Sequence, residues 1–157
     1  MMMSIETRLA ELKIELPSPS TPAANYVPFI KTGNLIFISG QVTHLDGKLQ
    51  YVGKVGAELS LEDGYKAAKI CGLNLLSHLK AACNGNLDKV TKVIKLGGFV
   101  NSAPDFTDQP KVINGASDLM VQVFGNIIGT HSRFAVSAPS LPLGSATEID
   151  GVFEVLN

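Results

Sequence analysis

Arginine is almost missing from this chain: the 157 residues carry two, Arg8 and Arg133. Arg8 lies in a polar amphipathic stretch, where a charge is unremarkable. Arg133 stands inside HSRFAV, residues 131–136, an apolar strand-like run in which a permanently charged guanidinium needs a reason. Long hydrophobic runs are missing too. The longest, such as LIFI at 35–38, fall far short of the roughly 20 residues a membrane span requires, so no spanning helix is expected. The opening MMMSIETRLAELKIEL has no basic segment followed by an apolar core, and its Ile5, Leu9, Leu12 and Leu16 recur at helical spacing. A cytoplasmic protein with a short leading helix is the expectation.

Cysteine is equally scarce. Cys71 and Cys83 are twelve positions apart in what reads as one helix, about 18 Å at a rise of 1.5 Å per residue, too far for a disulfide. Both are expected reduced and buried. The net charge is −1 and the lysines are scattered, so no basic stripe for a phosphate backbone is visible, which argues against nucleic acid as a partner. His44, His78 and His131 lack the spacing of a metal site, and neither CxxC nor HxxxH is present. GGF at 97–99 is no dinucleotide fingerprint, because no GxGxxG follows a strand and opens a helix. Neither a metal nor a cofactor is expected.

What is present is the composition of one globular domain, 45% apolar and 17% charged. LPSPSTPAAN, residues 16–25, reads as an extended arm. The chain is accordingly divided into a leading helix and Pro/Ser-rich arm over 1–21 and a domain over 22–157. YVPFIKTGNLIFISGQV contains a hairpin signal at Thr32-Gly33-Asn34, and HLDGKL adds a turn at Asp46-Gly47. Ser60 caps a helix that stops at Asn84-Gly85, and VTKVIKLGGFV reads as a strand with a bulge at its glycines. A second helix starts at Asp108 with Pro110 in its first turn and carries a stripe from Val112 to Phe124. RFAVSA and ATEIDGVFEV are the last two strands.

The order βββ-α-β-α-ββ implies an α+β two-layer domain, one mixed sheet covered on one face by two helices. Alternation divides the fifth strand into Phe134, Val136 and Ala138 on one side and Arg133, Ala135 and Ser137 on the other; the expectation is that the arginine points away from the helices. In the last strand Ile149, Phe153 and Val155 oppose Glu148, Asp150 and Glu154, so Glu148 and Arg133 are expected to share a face. That uncovered face is too apolar for water, which points to oligomerisation through the sheet.

FISGQV (37–42), GFVNSAPDF (98–106), Ile113-Asn114, SRFAV, and Leu141-Pro142 followed six residues after the proline by Glu148 together resemble the Rid, or YjgF, family of reactive intermediate deaminases. The resemblance runs from about residue 22 to 157. It implies a chorismate-mutase-like fold, a homotrimer with its sheets facing inward, and clefts between subunits. It also implies that Arg133 grips the carboxylate of a small 2-imino or 2-enamino acid, which is hydrolysed to the 2-keto acid and ammonia. Glu148 is the candidate to orient or deprotonate water. Ser39, Asn114, Phe29 and Ala135 fall at positions that line the pocket; Phe29 stands where many deaminases have a tyrosine, and Ala135 where backbone groups do the work. Three readings stay open: a deaminase, a trimeric carboxylate-binding protein without turnover, and an endoribonuclease. The alternatives are an interfacial salt bridge for Arg133, a solvated strand carboxylate for Glu148, local backbone bonding for Ser39 and Asn114, and for His131 either the cleft mouth or the surface.

Overall fold

The computed structural model describes residues 3–21 and 24–157. Pro22 and Ala23, where the expected boundary between arm and domain falls, lie outside the described residues. The leading helix α1, Ile5–Glu11, is capped by Ser4, whose hydroxyl accepts from the Thr7 N–H. It ends early because Lys13 takes a left-handed conformation, φ 55°. Leu9 is nevertheless buried, and Leu12, Ile14 and Leu16 pack onto the same core.

Strands β1 (Phe29–Thr32) and β2 (Leu35–Gln41) form the expected hairpin, with Gly33 supplying the positive φ at the turn. The third expected strand does not join them. His44–Leu45 (β3) and Lys48–Leu49 (β4) make a separate small hairpin around Asp46-Gly47, both with positive φ. Helix α2, Leu61–Ala82, opens on a reciprocal capping box between Ser60 and Asp63 and ends before Asn84 and Gly85, both left-handed. Then follow β5 (Val90–Asn101), α3 (Gln109–Gly129, interrupted at Gly125), β6 (Ser132–Ala138) and β7 (Thr147–Val155).

The main sheet has the order β1-β2-β7-β5-β6. Only β5 and β6 run parallel, with α3 as their crossover. Helices α2 and α3 cover one face. Their apolar stripes meet Ile36, Ile38, Leu96, Val100, Ile149 and Phe153 in one buried core. Cys71 and Cys83 are both free and buried.

The glycine pair of β5 is not a bulge. The irregularities fall earlier, between Val90 and Lys92 and between Val93 and Lys95, while Gly97 and Gly98 pair regularly with Asp150 and Ile149. They are small for packing reasons: a methyl on Gly98 would stand 2.7 Å from Ile113 of α3, and one on Gly97 2.8 Å from the Phe134 ring. Gly115 does the same between helices, where an added methyl would fall 2.0 Å from the Tyr65 carbonyl of α2.

A candidate site in two halves

Strand β6 alternates as expected, but its faces are reversed. Arg133, Ala135 and Ser137 pair with Leu96, Gly98 and Val100, residues buried beneath the helices. Phe134 and Val136 pair with Gly97 and Phe99 on the uncovered side, where Phe134 meets the Phe99 ring edge-on at 5.2 Å. Arg133 therefore points towards α3. Its Nη2 donates to the Pro110 carbonyl and its Nη1 to the Ser117 hydroxyl, each at 3.0 Å. Pro110, Asn114 and Ser117 are four and then three residues apart, which puts Asn114 on that same helix face. Ala135 sits two residues further along β6, the last strand of the sheet, whose outer row of backbone groups has no neighbouring strand. Arg133, Asn114 and Ala135 are thus brought together as one half of the candidate site.

No carboxylate pairs with Arg133 among the described residues. Burial lowers its pKa and the Asp118 charge opposes that shift; a guanidinium stays ionised throughout. Ser117, which anchors it, was not foreseen from the sequence, because serine within a helix usually bonds local backbone.

The second half is a cleft of about 840 Å³ beside β2 and β7, bounded by Tyr26, Ser39, Gly40, Glu148, the arm residues Pro17, Ser18, Ser20 and Thr21, and His78 of α2. The Ser39 hydroxyl donates to the Val27 carbonyl, and the bulge that follows carries Gly40 past Glu148. A methyl at Gly40 would fall 2.5 Å from Glu148 Oε1. Burial, and after it the charge of Asp150, push the Glu148 carboxyl above its ordinary 4.5. Phe29 is not among the lining residues; it packs against the core, while Tyr26 brings a phenol to the cleft.

The halves do not meet within one chain. Glu148 lies two strand positions from Arg133 and on the opposite face of the sheet, and Ser39 lies three positions away, about 14 Å at 4.8 Å per strand. The expected shared face of Arg133 and Glu148 is thus corrected.

The family model described as "YjgF/chorismate mutase-like, putative endoribonuclease" matches residues 6–154, and the chain belongs to that family. It is 42% identical over 153 residues to Protein TCP17 of Trypanosoma cruzi, covering 98% of this chain and 95% of that one. Atu1372 of Agrobacterium tumefaciens, described as of unknown function, superposes with a TM-score of 0.90 at 45% identity, covering 97% and 92% of the two chains. A Shewanella oneidensis structure named as an endoribonuclease of the same qualified kind gives 0.93 at 35% identity, with 98% and 100% covered. Among the described residues no helix is long and apolar enough to cross a membrane.

Proposed function

We propose that the protein hydrolyses small 2-imino and 2-enamino acids to 2-keto acids and ammonia, in clefts where the Arg133 edge of one subunit meets the Tyr26–Ser39–Glu148 cleft of the next in a homotrimer. One observation carries this reading above the others. Among the described residues Arg133 is held by a carbonyl and a hydroxyl and by no carboxylate, so its charge is positioned but not neutralised. A guanidinium in that state offers its remaining N–H groups to a carboxylate, whose charge supplies what the protein does not. The split of the expected residues between two faces supports a shared site, since each half is incomplete alone.

In the reaction, an enamine first tautomerises to the imine. Water adds to the imine carbon while Glu148 takes a proton from it, and the nitrogen, protonated, leaves as ammonia when the carbonyl forms. The raised pKa of Glu148 suits a group that must accept a proton and then return it. Tyr26 provides a hydroxyl at the cleft wall, which Phe29 does not.

The test is hydrolysis of 2-iminobutanoate generated in solution. Arg133→Lys keeps the charge and loses the planar fork, and should lower kcat/KM on the order of a hundredfold with the oligomer intact. Glu148→Gln should spare keto-acid binding and slow turnover by roughly 10²-fold or more. Arg133-dependent binding without turnover would establish a carboxylate-binding protein instead. RNA cleavage without imine hydrolysis or keto-acid binding would replace the deaminase reading with the endoribonuclease one.

A further inference from the structure

His131 and Ser117, to which the proposed reaction gives no role, form a chain of hydrogen bonds with Arg133 beside α3. His131 Nδ1 is 2.6 Å from the Gly129 carbonyl, which can only accept, so Nδ1 carries the proton. In the neutral ring Nε2 is then an acceptor. It lies 2.9 Å from Ser117 Oγ, so the Ser117 hydroxyl donates its single hydrogen to His131. Ser117 Oγ in turn accepts from Arg133 Nη1 at 3.0 Å. The single Ser117 hydrogen is thereby committed to His131, and the hydroxyl nearest the guanidinium has none to offer a ligand.

We propose that Ser117 and His131 position Arg133 and couple its grip on a carboxylate to a proton on His131: an anion bound by Arg133 draws a proton onto Nε2. The protonated ring donates from Nε2 into Ser117 Oγ, and the Ser117 hydrogen is freed to turn towards the carboxylate beside Arg133. One proton comes from solvent, no bond other than N–H forms, and the anion gains a second donor. This extends the reading of Arg133 as a carboxylate clamp and rests on it.

The surroundings make the coupling electrostatic as well as geometric. His131, just before β6, is subject to the charges of Arg133 of β6 and Lys92 of β5, while Asp118 of α3 acts on Arg133 and accepts from the Tyr65 phenol. Burial first, and then the charges of Arg133 and Lys92, hold the His131 pKa below its ordinary 6.5, against the opposing Gly129 hydrogen bond. A bound carboxylate cancels the Arg133 charge that opposes protonation. By linkage, affinity for the anion must then rise as the pH falls through the range in which the liganded His131 takes up its proton. A shift of one unit in that pKa corresponds to about a tenfold change in affinity.

Titration calorimetry with 2-oxobutanoate, in the Glu148→Gln background to remove the other titrating carboxyl and any turnover, tests this between pH 8 and pH 5. Binding should tighten about tenfold over that range, and in buffers of different ionisation heat it should show proton uptake. His131→Gln should abolish the pH dependence. Ser117→Ala should weaken binding at pH 5 by roughly tenfold, the value of a hydrogen bond to a charged group, and Ser117→Thr should restore it. Binding that needs Arg133 but keeps the same pH slope in His131→Gln would overturn the coupling and leave the clamp standing. Unchanged binding in Arg133→Lys at every pH would overturn both.

Discussion

Glu148 sets the pH response of the proposed reaction. It must be ionised to accept the proton of water, and burial together with Asp150 raises its pKa above 4.5. The acid limb of kcat/KM should therefore lie at higher pH than an exposed glutamate would give, with activity lost as the pH falls through it. Asp150→Asn removes the charge that disfavours ionisation, so it should move that limb to lower pH, measured as a pH–rate profile in wild type and variant. An unmoved limb would mean that another group controls it. The chemistry of these residues was legible in the sequence. A glutamate and a lone arginine in strands announce themselves, whereas Ser117 does not, and the choice between Phe29 and Tyr26 depended on which one the hairpin buries. Phe29 pairs with Ile38 and follows it to the core side; Tyr26, before the strand begins, is free to reach the cleft.

Among the elements, β6 shows why a correct period can give the wrong face. Its two sets, Phe134 and Val136 against Arg133 and Ala135, invite the larger apolar pair to be placed inward. The structure does the opposite: the small Ala135 pairs with Gly98 on the helix-covered side, where Ile113 of α3 stands too close to Gly98 even for a methyl there. Helices were more legible, since caps and stripes are local: Ser60, Asp108 and Asn84-Gly85 fall at or beside the helix ends. The leading helix needed a partner and has one. The Arg8 Nε donates to the Gln122 carbonyl of α3, the Ile5 N–H to Asp88, and Glu6 pairs with Lys80 of α2 at 2.8 Å. The exposed ion pair contributes little; Leu9, buried in the core, contributes more. Leu9→Ala should cost about 2–5 kcal/mol and lower Tm by roughly 2–4 °C for each kcal/mol. A Tm within error of wild type would show that α1 is undocked in solution.

At the scale of the whole molecule, the uncovered sheet face explains both the reversed strand and the divided site. Ile30 (57% exposed), Phe37 (45%), Phe99 (39%) and Val136 (44%) lie on it, an apolar surface that a monomer would leave in water. Inward-facing sheets in a homotrimer near three times 16.6 kDa would bury it and bring the β6 edge of one subunit beside the β2–β7 cleft of another. Sedimentation gives the mass, but a complementation experiment decides whether the site is shared. Arg133→Lys and Glu148→Gln trimers, each nearly inactive, are mixed under conditions of subunit exchange. If each cleft takes its arginine from one subunit and its glutamate from the next, a cleft is intact when a Glu148→Gln subunit supplies the arginine and an Arg133→Lys subunit the glutamate. Random assembly from equal amounts makes about one cleft in four intact, so activity should recover towards a quarter of the wild-type value. A site contained in one chain yields no intact cleft in any mixture, and an exchange that is verified by mass yet restores nothing would rule out the shared site.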